Sequence, residues 1–193
     1  MENFTQQFET IYNANIKREG ADKLLEYLKS TDFFTAPAST RFHSNHEGGL
    51  VKHTVKVYQR FVKIAEAEYG KDFIDKNAES LAVIALLHDI CKVNLYKTEL
   101  RNQKIDGQWI QKPYYAHDDN LPYGHGEKSV YMLGGFIRLT REEAMAINWH
   151  MGAFDDRCRA SYNALGKAFK MYPLALLFHT ADLLTSYLDE EVV

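Results

Sequence analysis

Four histidines and two aspartates stand apart by where they fall. His53 lies in an amphipathic stretch shortly after the pair Gly48-Gly49, and His88 and Asp89 are adjacent, closing the uninterrupted apolar run Leu81–Leu87. His125 sits between Gly124 and Gly126, His150 follows Trp149, and Asp182 is embedded beside Ala181 and Leu183 in a largely apolar segment. A charge in such surroundings is costly unless it is paired or bound to a cation. Taken singly, each histidine reads as a packed or solvated residue. Taken together, four imidazoles and two carboxylates suit a pair of first-row divalent ions. Water between two such ions becomes a nucleophile near neutral pH, and the pair can clamp the oxygens of a phosphoryl group. The thiols of Cys91 and Cys158 are poorer nucleophile candidates, and the serines lack a His-Asp relay that the metal set has not already claimed.

These residues need helices to hold them. Phe4, Phe8, Ile11, Tyr12 and Ile16 recur at the helical repeat and predict a helix over 2–18, stopped by Gly20. Leu24, Leu25 and Leu28 mark a second helix to about Ser30, followed by a loop over 31–49. Leu50, Thr54, Val57, Phe61 and Ile64 trace a third helix, carrying His53 and ending before Gly70. A fourth runs from about Asn77 to His88. Asp106-Gly107 between Lys104-Ile105 and Gln108-Trp109 signals a hairpin. Helices resume near Gly126; Thr140 with Glu143 is a capping-box pattern opening a helix to about His150. An irregular charged loop over 151–160 and a short helix over 161–171 follow. Pro173 opens a last helix to about Leu188. The expected fold is all-α: one compact bundle over residues 1–193, with N-terminal helices within 1–45 packing on it and a hairpin insert at 94–120.

The 193 residues, 46% apolar and 25% charged, are those of a globular chain with a sizeable core. A net charge of −3 argues against a general nucleic-acid coat or a polybasic membrane binder, though not against a local basic cleft. Two cysteines exclude a disulfide scaffold. No signal peptide is evident at the start, and the longest apolar run is too short to span a bilayer; a soluble, cytoplasmic protein without membrane partners is expected.

The segments Gly48-Gly49-Leu50-Val51-Lys52-His53-Thr54, Leu86-Leu87-His88-Asp89-Ile90-Cys91-Lys92 and His179-Thr180-Ala181-Asp182 resemble the HD superfamily of metal-dependent phosphohydrolases, over roughly residues 45–190. Gly124-His125-Gly126 and Asn148-Trp149-His150 are similar to the two extra histidines of its dinuclear branch. The resemblance implies an HD-type helical bundle in which His53, His88, Asp89 and Asp182 hold one ion. Asp89 bridges to a second, which His125 and His150 complete, and Lys92 lies near the substrate phosphate. The two ions would be Fe, Mn, Ni, Co or Zn. Cys91 departs from the pattern, standing where a glycine often precedes the lysine; a left-handed backbone there would cost about 1 kcal/mol.

The expected activity is hydrolysis of a phosphomonoester or phosphodiester, in a nucleotide or short oligonucleotide, by a metal-activated hydroxide; a non-catalytic, metal- and nucleotide-binding regulatory module is the alternative. Asp89 and Lys92 are the catalytic candidates. His46, with Lys92 and Glu127, is a candidate for contacting substrate, as is His43; both loop histidines also read as surface residues. His179 is expected behind the ligands or packed. Tyr114, Tyr115 and Tyr123 could stack a base or pack the rim. No long Lys/Arg tract is present to follow a polymer.

Overall fold

The computed structural model describes residues 3–40, 44–160 and 163–190; His43 lies outside them. In chain order the helices are α1 (Phe4–Asn15), α2 (Ala21–Ser30), α3 (Gly49–Tyr69), α4 (Lys71–Leu87), α5 (His125–Gly134), α6 (Arg141–Asn148), α7 (Arg157–Ala160), α8 (Ala164–Met171) and α9 (Pro173–Leu184). Strands β1 (Tyr96–Ile105) and β2 (Gln108–His117) come between α4 and α5 and form a two-stranded antiparallel ribbon. The fold is thus all-α with one hairpin.

The apolar run Leu81–Leu87 gives α4 no polar side in its second half, so that half must be enclosed. All seven residues are fully buried. Around them α3 supplies Leu50, Val55, Val57 and Phe61, α9 supplies Leu174, Ala175 and Phe178, and α6 supplies Ala146 and Ile147. Phe8 and Tyr12 of α1 and Leu24 and Leu28 of α2 close the same core. A second tie is polar: Glu143, fully buried, takes two hydrogen bonds from the Arg18 guanidinium (2.7 and 2.8 Å) and one from Ser80 (2.7 Å). Glu143 also completes the capping box at the start of α6. Its amide donates to Thr140 Oγ1 (3.2 Å), and its carboxylate accepts from the Thr140 amide (2.8 Å).

Several boundaries differ from the sequence expectation. The first helix ends at Asn15 rather than 18, because Ile16 turns extended and its amide closes on Tyr12 O. The fourth begins at Lys71, directly after Gly70, rather than near Asn77. Its charged first turns carry only Phe73 and Ile74 toward the core. The hairpin is longer than its turn signal implied, with ten residues in each strand. Asp106 and Gly107 take φ of +49° and +83°, the left-handed pair that a tight two-residue turn demands. The 151–160 segment is more ordered than a charged loop: a 3-10 turn at Gly152–Phe154 leads into α7. The helix expected from 161 begins, among the described residues, at Ala164. The last helix stops being α-helical at Leu184 and continues as a π turn over Thr185–Asp189. Among the described residues no helix is long and apolar enough to cross a membrane.

Candidate metal centre

α4 and α6 end in the same way. Each runs into a histidine, His88 and His150, where the carbonyls of the last turn have no helical partner. The His88 ring donates from Nδ1 to Ala85 O (2.9 Å), and the His150 ring from Nδ1 to Ile147 O (2.7 Å). A carbonyl only accepts, so both rings carry their proton on Nδ1 and present a bare lone pair at Nε2. Those lone pairs face Asp89: His88 Nε2 lies 3.4 Å from Oδ2 and His150 Nε2 3.5 Å from Oδ1. All three residues are buried, and His88 Nε2 makes no hydrogen bond. Lone pairs set against a carboxylate, shut away from water, are an arrangement that a cation resolves.

The other three candidates converge on the same point. His53, one turn into α3, places Nε2 3.2 Å from Asp182 Oδ1 and 3.7 Å from Asp89 Oδ2. His125, the first residue of α5, puts Nε2 2.8 Å from Asp89 Oδ1. Three overlapping triads each offer ligand atoms mutually within 4.8 Å: His53, His88 and Asp89; His88, His150 and Asp182; Asp89, His125 and His150. Asp89 belongs to two of them, with one oxygen toward each side. The imidazole and carboxylate donors fit divalent first-row ions.

Lys92 completes the local turn. The 3-10 turn Ile90–Lys92 returns its side chain to Asp89, with Nζ 2.6 Å from Oδ2, and Lys92 is itself buried. Cys91 lies in that turn without a positive φ, so the strain expected at that position does not arise. Its thiol instead packs against the His125 ring, 3.4 Å from Nδ1. His179 sits behind the centre, donating from Nδ1 to His150 O (2.6 Å) and stacking on Phe169. Glu127 turns back on Gly124 N (3.3 Å) and pairs with Arg157 (2.7 Å). His46 is exposed, with Nδ1 on Glu47 O (2.9 Å).

One partner escaped the sequence reading. Glu190, buried just past the π turn, lies with Oε2 3.2 Å from His53 Nδ1. It orients the ring so that Nε2 faces Asp182, the carboxylate–imidazole pairing that commonly backs a metal ligand. Its only sequence signal is an acidic run at 189–191, which reads as solvated charge. Arg157, expected on a charged surface loop, is likewise engaged: it meets Asp155, Asn148 and Glu127, and lies over the Trp149 ring at 4.7 Å.

The electrostatics follow the geometry. Burial pushes the Asp89 carboxyl up, but Lys92 and the surrounding histidines more than reverse this and hold it well below the usual range. Asp182 is lowered in the same way, burial opposing and His53 prevailing. Burial drives His88 down. His125 keeps a 30% exposed side chain, yet enough protein surrounds it to disfavour its imidazolium too. His53 goes the other way: burial opposes its charge, but Asp182 and Glu190 raise it to about 10. The centre thus keeps two ionised carboxylates, with His88 and His125 held neutral and His53 held charged between Asp182 and Glu190.

The HD-domain family model matches residues 50–185, most of the chain. The chain belongs to the HD-domain family. His53, His88, Asp89, His125, His150 and Asp182 all fall within the matched HD stretch. Among curated proteins, a 60-residue stretch is 42% identical to the dihydroneopterin 2',3'-cyclic phosphate phosphodiesterase of Methanocaldococcus jannaschii. The match covers 30% of this chain and 23% of that relative, so the HD chain spans under a quarter of the relative's length. No solved structure gives a significant match.

Proposed function

We propose that this chain is a metal-dependent phosphohydrolase acting on a phosphate ester of a nucleotide or short oligonucleotide, with two divalent ions held by the six converging residues. His53, His88, Asp89 and Asp182 would hold one ion; Asp89, His125 and His150 would hold the other. The observation that carries this reading is the pair of buried, backbone-fixed Nε2 lone pairs of His88 and His150, set 3.4 and 3.5 Å from the two oxygens of Asp89. Divalent ions in such a site polarise a phosphoryl oxygen and lower the pKa of bound water.

The chain's own contributions are orientation and charge. The Ala85 and Ile147 carbonyls lock two ring tautomers, and Glu190 locks a third. Lys92 brings a buried ammonium to the edge of the centre, where it can accept part of its charge balance from a phosphate instead of from Asp89. Family membership supports the reaction class, and the named activity of the archaeal relative supports a phosphodiester, including a cyclic one, among the substrates.

The test is metal analysis after anaerobic purification, followed by a screen of nucleotides, 2',3'-cyclic phosphodiesters and short oligonucleotides with Mn, Fe, Co, Ni, Zn and Mg supplied separately. Two ions per chain and turnover that chelation abolishes are expected. Two bound ions without turnover of any ester would leave a binding module, and no bound ion would end the reading.

A further inference from the structure

The outer face of α3 carries more positive charge than its surroundings return. Lys56, Arg60 and Lys63 recur at i, i+4 and i+7, so all three project from one side of the helix. They line a groove of about 490 Å³ whose other wall includes Asp189, the last residue of the π turn. Arg60 grips the Asp189 carboxylate from two nitrogens, Nε to Oδ2 (2.6 Å) and Nη2 to Oδ1 (2.5 Å). Lys56 donates to the Asp189 carbonyl oxygen (2.5 Å). Arg60 above all, with Lys56 and Lys63 behind it, holds the Asp189 carboxyl below its usual value against the effect of burial. Lys63 itself is exposed and makes no ion pair among the described residues. Asp189 is the one carboxylate among the lining residues, so the groove keeps a positive excess in a chain of net charge −3.

The groove already seats one oxyanion. A two-nitrogen grip by arginine is the geometry used for carboxylate and phosphate alike. Lys56 and Lys63 are about 10 Å apart along the helix, so the cations extend past the reach of a single carboxylate. The remaining lining is Gln59, Ile64 and Ala67, with no aromatic ring. A single-stranded nucleic acid would ask for rings on which bases stack, and a protein partner for an apolar centre depleted of charge. A short, multiply charged phosphate chain asks only for clustered cations. The place of the groove gives it a consequence. Glu190 follows Asp189 directly and holds His53 Nδ1 at 3.2 Å. One stretch of chain thus ends on Arg60 at one residue and on the His53 ring at the next, just past a π turn, a geometry that recurs at functional sites.

We propose that the groove between α3 and the π turn binds a di- or triphosphate, and that its occupancy is felt at His53. The anion meets Lys63 first and takes over Arg60 and Lys56. Asp189 gives way, Glu190 moves with it, and the His53 ring loosens. The groove stands on its own charges; only the statement that its occupancy reaches a metal centre rests on the phosphohydrolase reading above.

The test separates the two. Inorganic triphosphate and ATP are titrated by calorimetry into the metal-free protein in EDTA at low salt. The histidine ring nitrogens are followed by long-range proton–nitrogen correlation spectra, with the His53 signals assigned by their loss in His53→Gln. Binding of triphosphate is expected, with a shift of the His53 ring nitrogens. Lys63→Glu should weaken binding about 10-fold or more, since it removes one favourable contact and adds a repulsion. Asp189→Asn frees Arg60 for the anion and should tighten binding about 2- to 10-fold, while the His53 signals shift before any anion is added. ATP bound as tightly as triphosphate would make the phosphate chain alone the ligand; ATP bound about 10-fold tighter or more would make it the tail of a nucleotide. Either result supports the groove. Absence of binding at low salt, or wild-type affinity in Lys63→Glu, would overturn it, and binding that leaves the His53 signals in place would overturn its link to the centre. Manganese analysis of the anion-free protein reports the metal centre independently. No bound manganese, with triphosphate binding and the His53 shift intact, would overturn the phosphohydrolase reading and leave the groove standing.

Discussion

Gly126→Ala is the sharpest test of how the centre is assembled. A Cβ on Gly126 would fall 2.3 Å from Asn148 O and 2.7 Å from both Asn148 C and Ile147 O. All three are backbone atoms at the end of α6, so no side chain can rotate aside. Restoring ordinary contact takes a movement of about 1 Å between the start of α5 and the end of α6. His125 is the neighbour of Gly126, and His150 follows two residues after Asn148. The movement therefore acts on the geometry that sets His125 2.8 Å and His150 3.5 Å from the same oxygen of Asp89. Overpacking of this kind costs about 1–3 kcal/mol, or roughly 3–10 °C of melting temperature at this chain length. A misplacement near 1 Å can cost about 100-fold in rate. Metal analysis after gel filtration in Mn should fall from two ions toward one, with His53, His88 and Asp182 undisturbed. Gly134→Ala is the control: the same helix, with nothing within 4 Å of the added Cβ, and an expected change within about 1 kcal/mol. Two ions, an unchanged melting temperature and full turnover in Gly126→Ala would refute the reasoning.

Glu190→Ala should loosen His53 and weaken metal binding about 10–100-fold by competition with a chromophoric chelator, with Glu190→Gln intermediate because its amide oxygen still accepts from Nδ1. Asp89→Ala removes a carboxylate shared by two triads and should lower turnover by at least about 100–1000-fold. Cys91→Ser should retain most activity in the same assay, since burial pushes that thiol up to about 12 and leaves no thiolate to attack. Glu143→Gln should cost roughly 2–4 kcal/mol in urea unfolding at pH 7, because it leaves the Arg18 guanidinium half-paired in a largely buried site. Burial raises the Glu143 carboxyl, but Arg18, Ser80 and the Thr140 amide outweigh it and hold it below the ordinary glutamate value. Its contribution is thus fully present above that ordinary value and disappears as pH falls through the lowered one. The gap between wild type and Glu143→Gln should accordingly narrow below about pH 4.5; a constant gap down to pH 3 would contradict this account.

What could be read in the sequence was contrast. His88-Asp89 and Asp182 interrupt apolar helices, and burial of Leu81–Leu87 leaves those polar groups nowhere to go but the centre. The Thr140–Glu143 box and the Asp106-Gly107 turn were legible because each needs particular side chains at fixed spacing. The first turns of α4 were hidden because Lys71, Asp72, Asp75 and Lys76 face water, and that stretch is continued from a buried second half rather than from its own pattern. The ribbon's full length was hidden for a related reason: with water on both faces, its strands need no apolar alternation. Glu190 was hidden by its neighbours, since one buried carboxylate in an acidic run differs from the others only in three dimensions.

The centre draws on α3, the ends of α4 and α6, the start of α5 and, last, α9 and the turn beyond it. His53 and its two carboxylate partners Asp182 and Glu190 are separated by well over a hundred residues. A chain emerging from the ribosome therefore carries His53, His88, Asp89, His125 and His150 before Asp182 or Glu190 exists. Until α9 docks, Phe178 is missing from beside His88 and Phe61, where its ring lies 5.1 Å from each, and that side of the site stays open to water. Contacts of such long sequence separation form late in folding. Coordination of a cation by the whole set would then require the chain through Glu190 and the docking of α9, so that uptake of the ion would follow that packing rather than guide it.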